Sequence, residues 1–389
     1  MADLPHLFRP LPIAGLTLAN RIVLSPMCQY VAVDGLPGEW HREHHARFAT
    51  QGLGLAFVEA TAVSPEGRIT HGCTGLWHDG QIAAHRRLTD LYRRHGVAVG
   101  IQLGHAGRKA SMTRPWEGNR PLRDGDDEPA WQAVAPSAVA MDEAAPVPHA
   151  LSAGEVEEIV AAFAAAAERS LAAGYDVVEI HGAHGYLLHA FLSPLSNLRD
   201  DAWGGDARRR MALPLAVCEA VRAVWPRGRP LFYRVSAVDG AEGGLLVEDT
   251  VAFARALKSV GIDVVDCSSG GISRPSGQPA GRLAPGFQTP FARAVRDGAG
   301  IPTVAVGAIF DPHQAEAILA EGMADLVALG RQLIAEPGWP HRAALALGHP
   351  APHAIIDRRY GLALERRAAV LDLSPPAEAW PGRNPPARP

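Results

Sequence analysis

The segment His181-Gly182-Ala183-His184-Gly185-Tyr186 holds two imidazoles and a phenol. Imidazole N–H groups can polarise a carbonyl or nitro oxygen, and a positioned tyrosine can supply the proton that completes a transfer. Metal ligation by the histidine pair needs a third ligand, and no carboxylate or cysteine stands nearby at the usual spacing. Histidines satisfied inside a core are the other alternative, weakened by both sharing a glycine-bearing loop with a tyrosine. A second group is built for anions. Ser268-Ser269-Gly270-Gly271, Gly307-Ala308 and Gly330-Arg331 are glycine-rich or cationic turns ahead of helical sequence. Bare backbone N–H groups there can cradle a phosphate, and Arg331 adds a bidentate cation; tight turns alone are the plainer reading. Cys28 follows Ser25-Pro26-Met27 and stands two residues before Tyr30. A lone cysteine acts as a small hydrophobe or as a nucleophile. Arg234 interrupts an apolar run, and a buried guanidinium requires an anionic or electron-rich partner. Together these residues describe a phosphate-bearing cofactor beside a donor pair for an oxyanion, without naming the cofactor.

Such residues need a scaffold that brings distant turns to one mouth. Short apolar, β-branched runs begin at Arg21, Leu55, Val97, Asp176, Leu231, Asp263, Pro302 and Asp325. Continuous rather than alternating apolar sequence is what parallel strands buried on both faces require. Helical patterns lie between them, over about Gln81–Arg94, Ser152–Ala173, Met211–Val224, Val247–Val260 and Pro312–Glu321. Ser152 with Glu155 forms a capping-box pattern and Gly174 a stop; Asp311-Pro312 reads as a cap followed by a first-turn proline. This alternation predicts a (β/α)8 TIM barrel, whose chemistry sits at the C-terminal strand ends. An open doubly wound sheet is the alternative, but no GxGxxG follows the first strand. Residues 104–150, rich in Pro, Trp, Asp and Ala, are expected to form a capping excursion after the third strand. The expected organisation is one domain over 1–373, with a proline-rich tail at 374–389.

The chain has 389 residues, 47% hydrophobic and 20% charged, with a net charge of −4. That composition suits a packed globular protein and gives no basis for nucleic acid or an anionic membrane as partner. The Arg208-Arg209-Arg210 cluster reads as a solvated helix face. Cys28, Cys73, Cys218 and Cys267 form neither a CxxC pair nor a disulfide framework, so a reducing cytoplasm is the expected home. No signal peptide is seen, and no window approaches the roughly 20 apolar residues of a membrane span.

At the level of whole motifs the chain resembles the Old Yellow Enzyme family of FMN-dependent ene-reductases, from Leu7 to about Trp339. It is most similar to the bacterial thermophilic-like branch of xenobiotic reductases and small NADPH dehydrogenases. The resemblance is carried by Leu16 through Tyr30, by Gln102-Leu103-Gly104-His105-Ala106-Gly107-Arg108-Lys109, and by His181 through Leu187 continuing over Phe191-Leu192-Ser193-Pro194 to Asn197. It implies that Ser25, Pro26, Met27, Cys28, Ala60, Gln102 and Arg234 contact a flavin. Gly307, Ala308, Gly330 and Arg331 would hold the FMN phosphate. His181 and His184 would bind the acceptor oxygen of the substrate, Tyr186 would deliver the proton, and Tyr30 and Lys109 would line the pocket. Cys28 would tune the flavin and touch substrate. The implied reaction moves hydride from NADPH or NADH through FMN to the β-carbon of an electron-poor alkene, such as an enone, a maleimide or a nitro compound. A homo-oligomer is implied by the branch, in which a C-terminal arginine can reach a neighbouring site; Arg358, Arg359 and Arg366 are the candidates. The chain departs from the family where Trp203 precedes Gly204-Gly205 and a Glu-Asn pair is replaced ahead of Arg210, which predicts altered helix-start packing. The non-flavin alternative is a phosphate-binding aldolase or isomerase barrel, for which Lys258 falls on a helix rather than a strand, and the non-enzymatic alternative is a flavin-binding sensor.

Overall fold

The computed structural model describes residues 4–273 and 283–371; the expected tail at 374–389 lies outside them. Eight parallel strands close into a barrel: β3 (Ile22–Leu24), β4 (Leu55–Ala62), β5 (Ala98–Gly104), β8 (Val177–Gly182), β9 (Leu231–Ser236), β10 (Val264–Ser268), β11 (Thr303–Val306) and β12 (Leu326–Leu329). β12 pairs back onto β3 through Val327 and Ile22, which closes the ring. An antiparallel hairpin, β1 (Leu11–Ile13) and β2 (Leu16–Leu18), precedes them. Short strands β6 (Val134–Ala135) and β7 (His149–Ala150) pair within the excursion that follows β5.

Side chains alternate between the two faces of each strand, and the strands are apolar on both because both are covered. Outward-facing Val58, Ile101, Ile180, Tyr233 and Val265 join the layer of helices in the main core. Inward-facing Val23, Leu55, Phe57, Val177, Phe232, Val264, Val304 and Leu326 fill the floor of the lumen, where Ile13 and Leu18 of the hairpin plug its end. Two residues further along their strands the lumen becomes polar, with Gln102, Glu179, Arg234 and Asp266 all buried.

The outer layer contains α1 (Glu39–Ala49), α2 (Ile82–Arg94), α3 (Ala153–Ala173), α4 (Leu187–Leu192), α5 (Ala207–Arg210), α6 (Ala212–Val224), α7 (Val247–Ser259), α8 (Thr289–Ala299), α9 (Pro312–Ala320), α10 (Arg331–Ala335), α11 (Trp339–Ala346) and α12 (Arg358–Val370). The start of α3 is as its sequence predicts: Ser152 accepts from the Glu155 amide, the Glu155 carboxylate accepts from the Ser152 amide, and Gly174 stops the helix at φ 91°. Asp311 caps α9 by accepting from the amides of His313 and Gln314. Helices α1, α4, α5, α8, α10, α11 and α12 lie outside the helical ranges read from the sequence. In α1 the reason is composition, since His41, His44 and His45 share its buried face with only Phe48 and Ala49. Where the sequence departs from the pattern it resembles, Asp206 caps α5 and Asn197 Nδ2 donates to the carbonyls of Phe191 and Trp203. Arg210 Nε donates to the Leu192 carbonyl, so the retained arginine ties this helix start to α4. Among the described residues no helix is long and apolar enough to cross a membrane.

Candidate active site

The same alternation carries each luminal column up to the mouth: His181 follows Glu179, Ser236 follows Arg234, and Ser268 follows Asp266. His181 is 4% exposed, and its Nδ1 accepts from the Ala183 amide at 3.3 Å, which places the ring proton on Nε2. His184 sits in the left-handed region at φ 59°, a costly conformation for a residue with a Cβ. The surroundings enforce it. Its amide donates to Ser236 Oγ at 2.9 Å, its carbonyl accepts from Lys109 Nζ at 2.7 Å, and its Nε2 lies 2.7 Å from Ser268 Oγ. Gly271 packs flat on this turn, where a Cβ would stand 2.6 Å from His184 Cα. The ring of Tyr186 lies edge-on to His181 with centroids 5.0 Å apart; His181 and His184 are 5.2 Å apart. Behind the loop, His189 Nδ1 accepts from the Gly185 amide at 2.8 Å. His189 Nε2 lies 2.8 Å from Asp239 Oδ1, and Ser193 Oγ donates to Asp239 Oδ2.

Burial, reinforced by the positive charge of Arg234, pulls His181 and His184 well below the ordinary imidazole range, so both rings are neutral near pH 7. Burial pushes the Tyr186 phenol up, with Cys28 and Cys73 adding to the effect and Arg234 opposing it, so it keeps its proton. Burial and then the charge of Glu59 push the Cys28 thiol up, which favours the neutral S–H over a nucleophilic thiolate.

On the far side of the lumen a cavity of about 450 Å³ is lined by Ser25, Pro26, Met27, Arg234, Gly307, Ala308, Gly330 and Arg331, together with Ile309, Phe310 and Gln332. Its chemistry fits a phosphate-bearing group. Gly307 stands at φ 106°, and a Cβ there would meet Gln288 Oε1 at 2.4 Å, so the turn is kept bare. Arg234 is 7% exposed; its Nε has no hydrogen-bonding partner and lies 3.5 Å from Asp266 Oδ2. A guanidinium that lines this cavity beside bare glycine turns suits an acceptor-rich cofactor. Ala60 borders a separate, water-sized space of about 20 Å³ shared with His105, His181 and Tyr186. Gln102 lies in the polar layer of the lumen and donates to Glu179. Cys28 lines neither cavity; its thiol meets the Tyr30 hydroxyl and the Ala60 backbone.

Two sequence expectations take a different place. The Ser268-Ser269-Gly270-Gly271 turn does not join the Gly307 and Gly330 turns around the cavity; it backs the His184 loop, because Ser268 lies across from His184 and Gly271 packs on it. Lys109 bonds the carbonyls of His184 and Gly271, with its ammonium 5.8 Å from the centre of the Tyr186 ring, and so ties the loops together at the pocket wall. Of the three C-terminal arginines, Arg359 closes on Asp357 of its own chain, while Arg358 and Arg366 are exposed on α12. Sequence reasoning assigned no role to Ser236, His189, Asp239 or Gln332. The only sequence signal for His189 is its position one helical turn beyond the His-x-x-His motif.

Comparison with known proteins adds to this geometry. A sequence model of the NADH:flavin oxidoreductase / NADH oxidase family matches residues 6–348. An NADPH dehydrogenase of Geobacillus thermodenitrificans is 45% identical over 345 residues, covering 88% of this chain and 94% of that one. Morphinone reductase has a similar structure, with a TM-score of 0.73 at 27% identity over 88% of this chain and 90% of that one. The old yellow enzyme homologue of Zymomonas mobilis superposes with a TM-score of 0.71 at 27% identity, covering 87% and 92%.

Proposed function

The chain belongs to the NADH:flavin oxidoreductase / NADH oxidase family, oxidoreductases that use FMN and NAD(P)H, and on that premise we propose that it is an ene-reductase. Its acceptors in this reading are alkenes activated by a carbonyl, maleimide or nitro group. The observation that carries the proposal is the rim itself: two neutral imidazoles and a protonated phenol face one mouth beside the cavity that contains Arg234.

A bound FMN would supply the hydride chemistry that links NAD(P)H to the alkene. Ser25, Pro26, Met27, Cys28, Ala60, Gln102 and Arg234 would hold its ring and side chain, and Gly307, Ala308, Gly330 and Arg331 its phosphate. The remaining work belongs to the rim. His181 offers Nε2–H to the acceptor oxygen. His184 offers Nδ1–H when the Ser268 hydroxyl donates to its Nε2. Neutral donors suit this task, because they stabilise the negative charge that develops on the oxygen without surrendering a proton to it. Tyr186 delivers a proton to the α-carbon, and its raised pKa keeps that proton in place until the carbon becomes basic. Tyr30 and Lys109 border the substrate. A homo-oligomer belongs to this reading through Arg358 or Arg366.

The test is spectroscopic. The protein purified without added cofactor should show flavin absorption that bleaches with NADPH under anaerobic conditions and returns with 2-cyclohexenone. Replacing His181 and His184 together by Ala should slow the return by about 10²–10³-fold or more while the bleaching rate holds. A colourless protein that cannot be reconstituted with FMN, or a double variant at full rate, would refute the proposal.

A further inference from the structure

One buried donor on the wall of the active site has no part in the mechanism so far. His105 follows strand β5 directly, and its side chain is 0% exposed. Its Nδ1 accepts from the Gly107 amide at 3.0 Å, so the ring proton sits on Nε2. That nitrogen has no hydrogen-bonding partner among the described residues. Glu66 Oε1, on a half-exposed side chain, stands 4.0 Å away, beyond hydrogen-bond reach. A buried N–H left in this way calls for a polar partner.

The backbone brings this ring to the proton donor. The His105 carbonyl accepts from the Leu187 amide at 3.0 Å, one residue past Tyr186, and the Ala106 amide donates to the Gly67 carbonyl at 2.8 Å. The turn lies flat on the start of α4, where a Cβ on Gly107 would stand 3.0 Å from Leu187 Cα. Between them is the space of about 20 Å³, whose polar lining is Thr61, Arg68, Cys73, His105, His181 and Tyr186. A water needs roughly 10–15 Å³ by this measure, so the groups around the space share one molecule. Most of them are engaged elsewhere. Thr61 Oγ1 donates to the Glu59 carbonyl at 2.9 Å, and Cys73 Sγ accepts from the Thr70 amide at 3.4 Å. Arg68 Nε donates to the Pro65 carbonyl at 2.8 Å, and its guanidinium lies 5.4 Å from the ring centres of both Trp77 and Trp131. His181 turns Nε2 to the substrate. The His105 N–H and the Tyr186 phenol remain.

We propose that this space is the site of one bound water, which accepts from His105 Nε2 and donates to the Tyr186 oxygen, and that His105 is a positioning residue for the proton donor. When Tyr186 gives its proton to the α-carbon, its O–H bond breaks and the electron pair stays on the phenol oxygen. The water's hydrogen bond strengthens as that charge develops, which favours the transition state over the ground state. Solvent then returns a proton to the oxygen. Burial pulls His105 down to about 4, with Glu66 opposing, so the ring is neutral near pH 7 and holds the water without protonating it. The role toward Tyr186 rests on the ene-reductase reading; the water site does not.

The test begins with a crystal structure of the full chain as purified, at a resolution that shows waters. Density should lie within about 3 Å of both His105 Nε2 and Tyr186 Oη. His105→Phe keeps a ring and removes the donor. It should lose the water and slow the return of flavin absorption with 2-cyclohexenone about tenfold, while bleaching by NADPH is unchanged. The solvent deuterium isotope effect on the return should grow, because proton delivery becomes limiting. His105→Gln, whose amide N–H can replace the donor, should restore water and rate. No water within reach of both atoms, or the Glu66 carboxylate seated on Nε2 in its place, would overturn the proposal. So would His105→Phe at the wild-type rate, or slowed with an unaltered isotope effect, which would leave His105 a packing role only. If His105→Phe does not fold, the wild-type structure and His105→Gln decide. A protein that is colourless or returns no absorption with the enone would count against the flavin reading, and the crystal structure would still decide the water site.

Discussion

Gln102 Nε2 donates to Glu179 Oε1 across 2.7 Å inside the barrel lumen, between strands β5 and β8. The second oxygen, Glu179 Oε2, is buried without a partner, as is Asp266 Oδ1 in the same polar layer. Burial, then the charge of Asp266, pushes Glu179 up to about 8, with Arg234 and Gln102 opposing. In the unfolded chain the same carboxyl titrates near about 4.3. The folded state therefore holds an extra proton between those values, and the contribution of this group to stability, full below about pH 4, is lost as pH rises toward 8. Glu179→Gln, which keeps the shape and removes the titration, should flatten the fall of Tm across neutral pH and raise Tm on the alkaline side. Thermal melts of both proteins from mildly acidic to pH 9 check this; parallel curves would show that Glu179 does not carry the linkage.

The sequence made the eight strands legible because burial on both faces writes itself as unbroken apolar runs. The His181–Tyr186 loop was legible because three polar groups crowd one strand end. Partnerships between strands were not. Glu179 stands 77 residues from Gln102, and His184 stands 84 from Ser268. Only the closed order of the barrel brings them together. The Ser268–Gly271 turn looks in sequence like the Gly307 and Gly330 turns, since the glycines that bare a phosphate site also let one loop lie flat against another. Helix α1 stayed hidden because His41, His44 and His45 count as polar in any periodicity although all three are buried.

Arg331 and Gly307 separate two contributions to cofactor retention. Arg331 is an exposed cation at the edge of the 450 Å³ cavity, and a charge-assisted bond of this kind contributes about 1.5–3 kcal/mol. Arg331→Ala should weaken FMN binding by about ten- to a hundredfold, read from flavin fluorescence released on dilution, with Tm of the flavin-free protein unchanged. Gly307→Ala adds a Cβ at φ 106° against Gln288 and should both release flavin and lower that Tm. An Arg331→Ala protein that holds FMN as tightly as wild type would remove the phosphate assignment from this turn.

Ser268 decides which nitrogen of His184 faces the substrate. Its Oγ lies 2.7 Å from His184 Nε2, and Gln288 also reaches it. If the hydroxyl donates to Nε2, the ring proton rests on Nδ1, where the acceptor oxygen can use it; if it accepts from Nε2, His184 offers no donor from its other edge. Ser268→Ala removes this selection without touching the substrate or burying a new group. It should lower kcat/KM for an enone by about tenfold, leave the rate of reduction by NADPH unchanged, and shift the ¹⁵N resonances of His184 toward a tautomer mixture. A tenfold loss with unaltered ¹⁵N resonances would assign the effect to packing. Resonances that place the wild-type proton on Nε2 would leave His181 as the sole donor to the oxygen, and His184→Ala would then cost far less than His181→Ala.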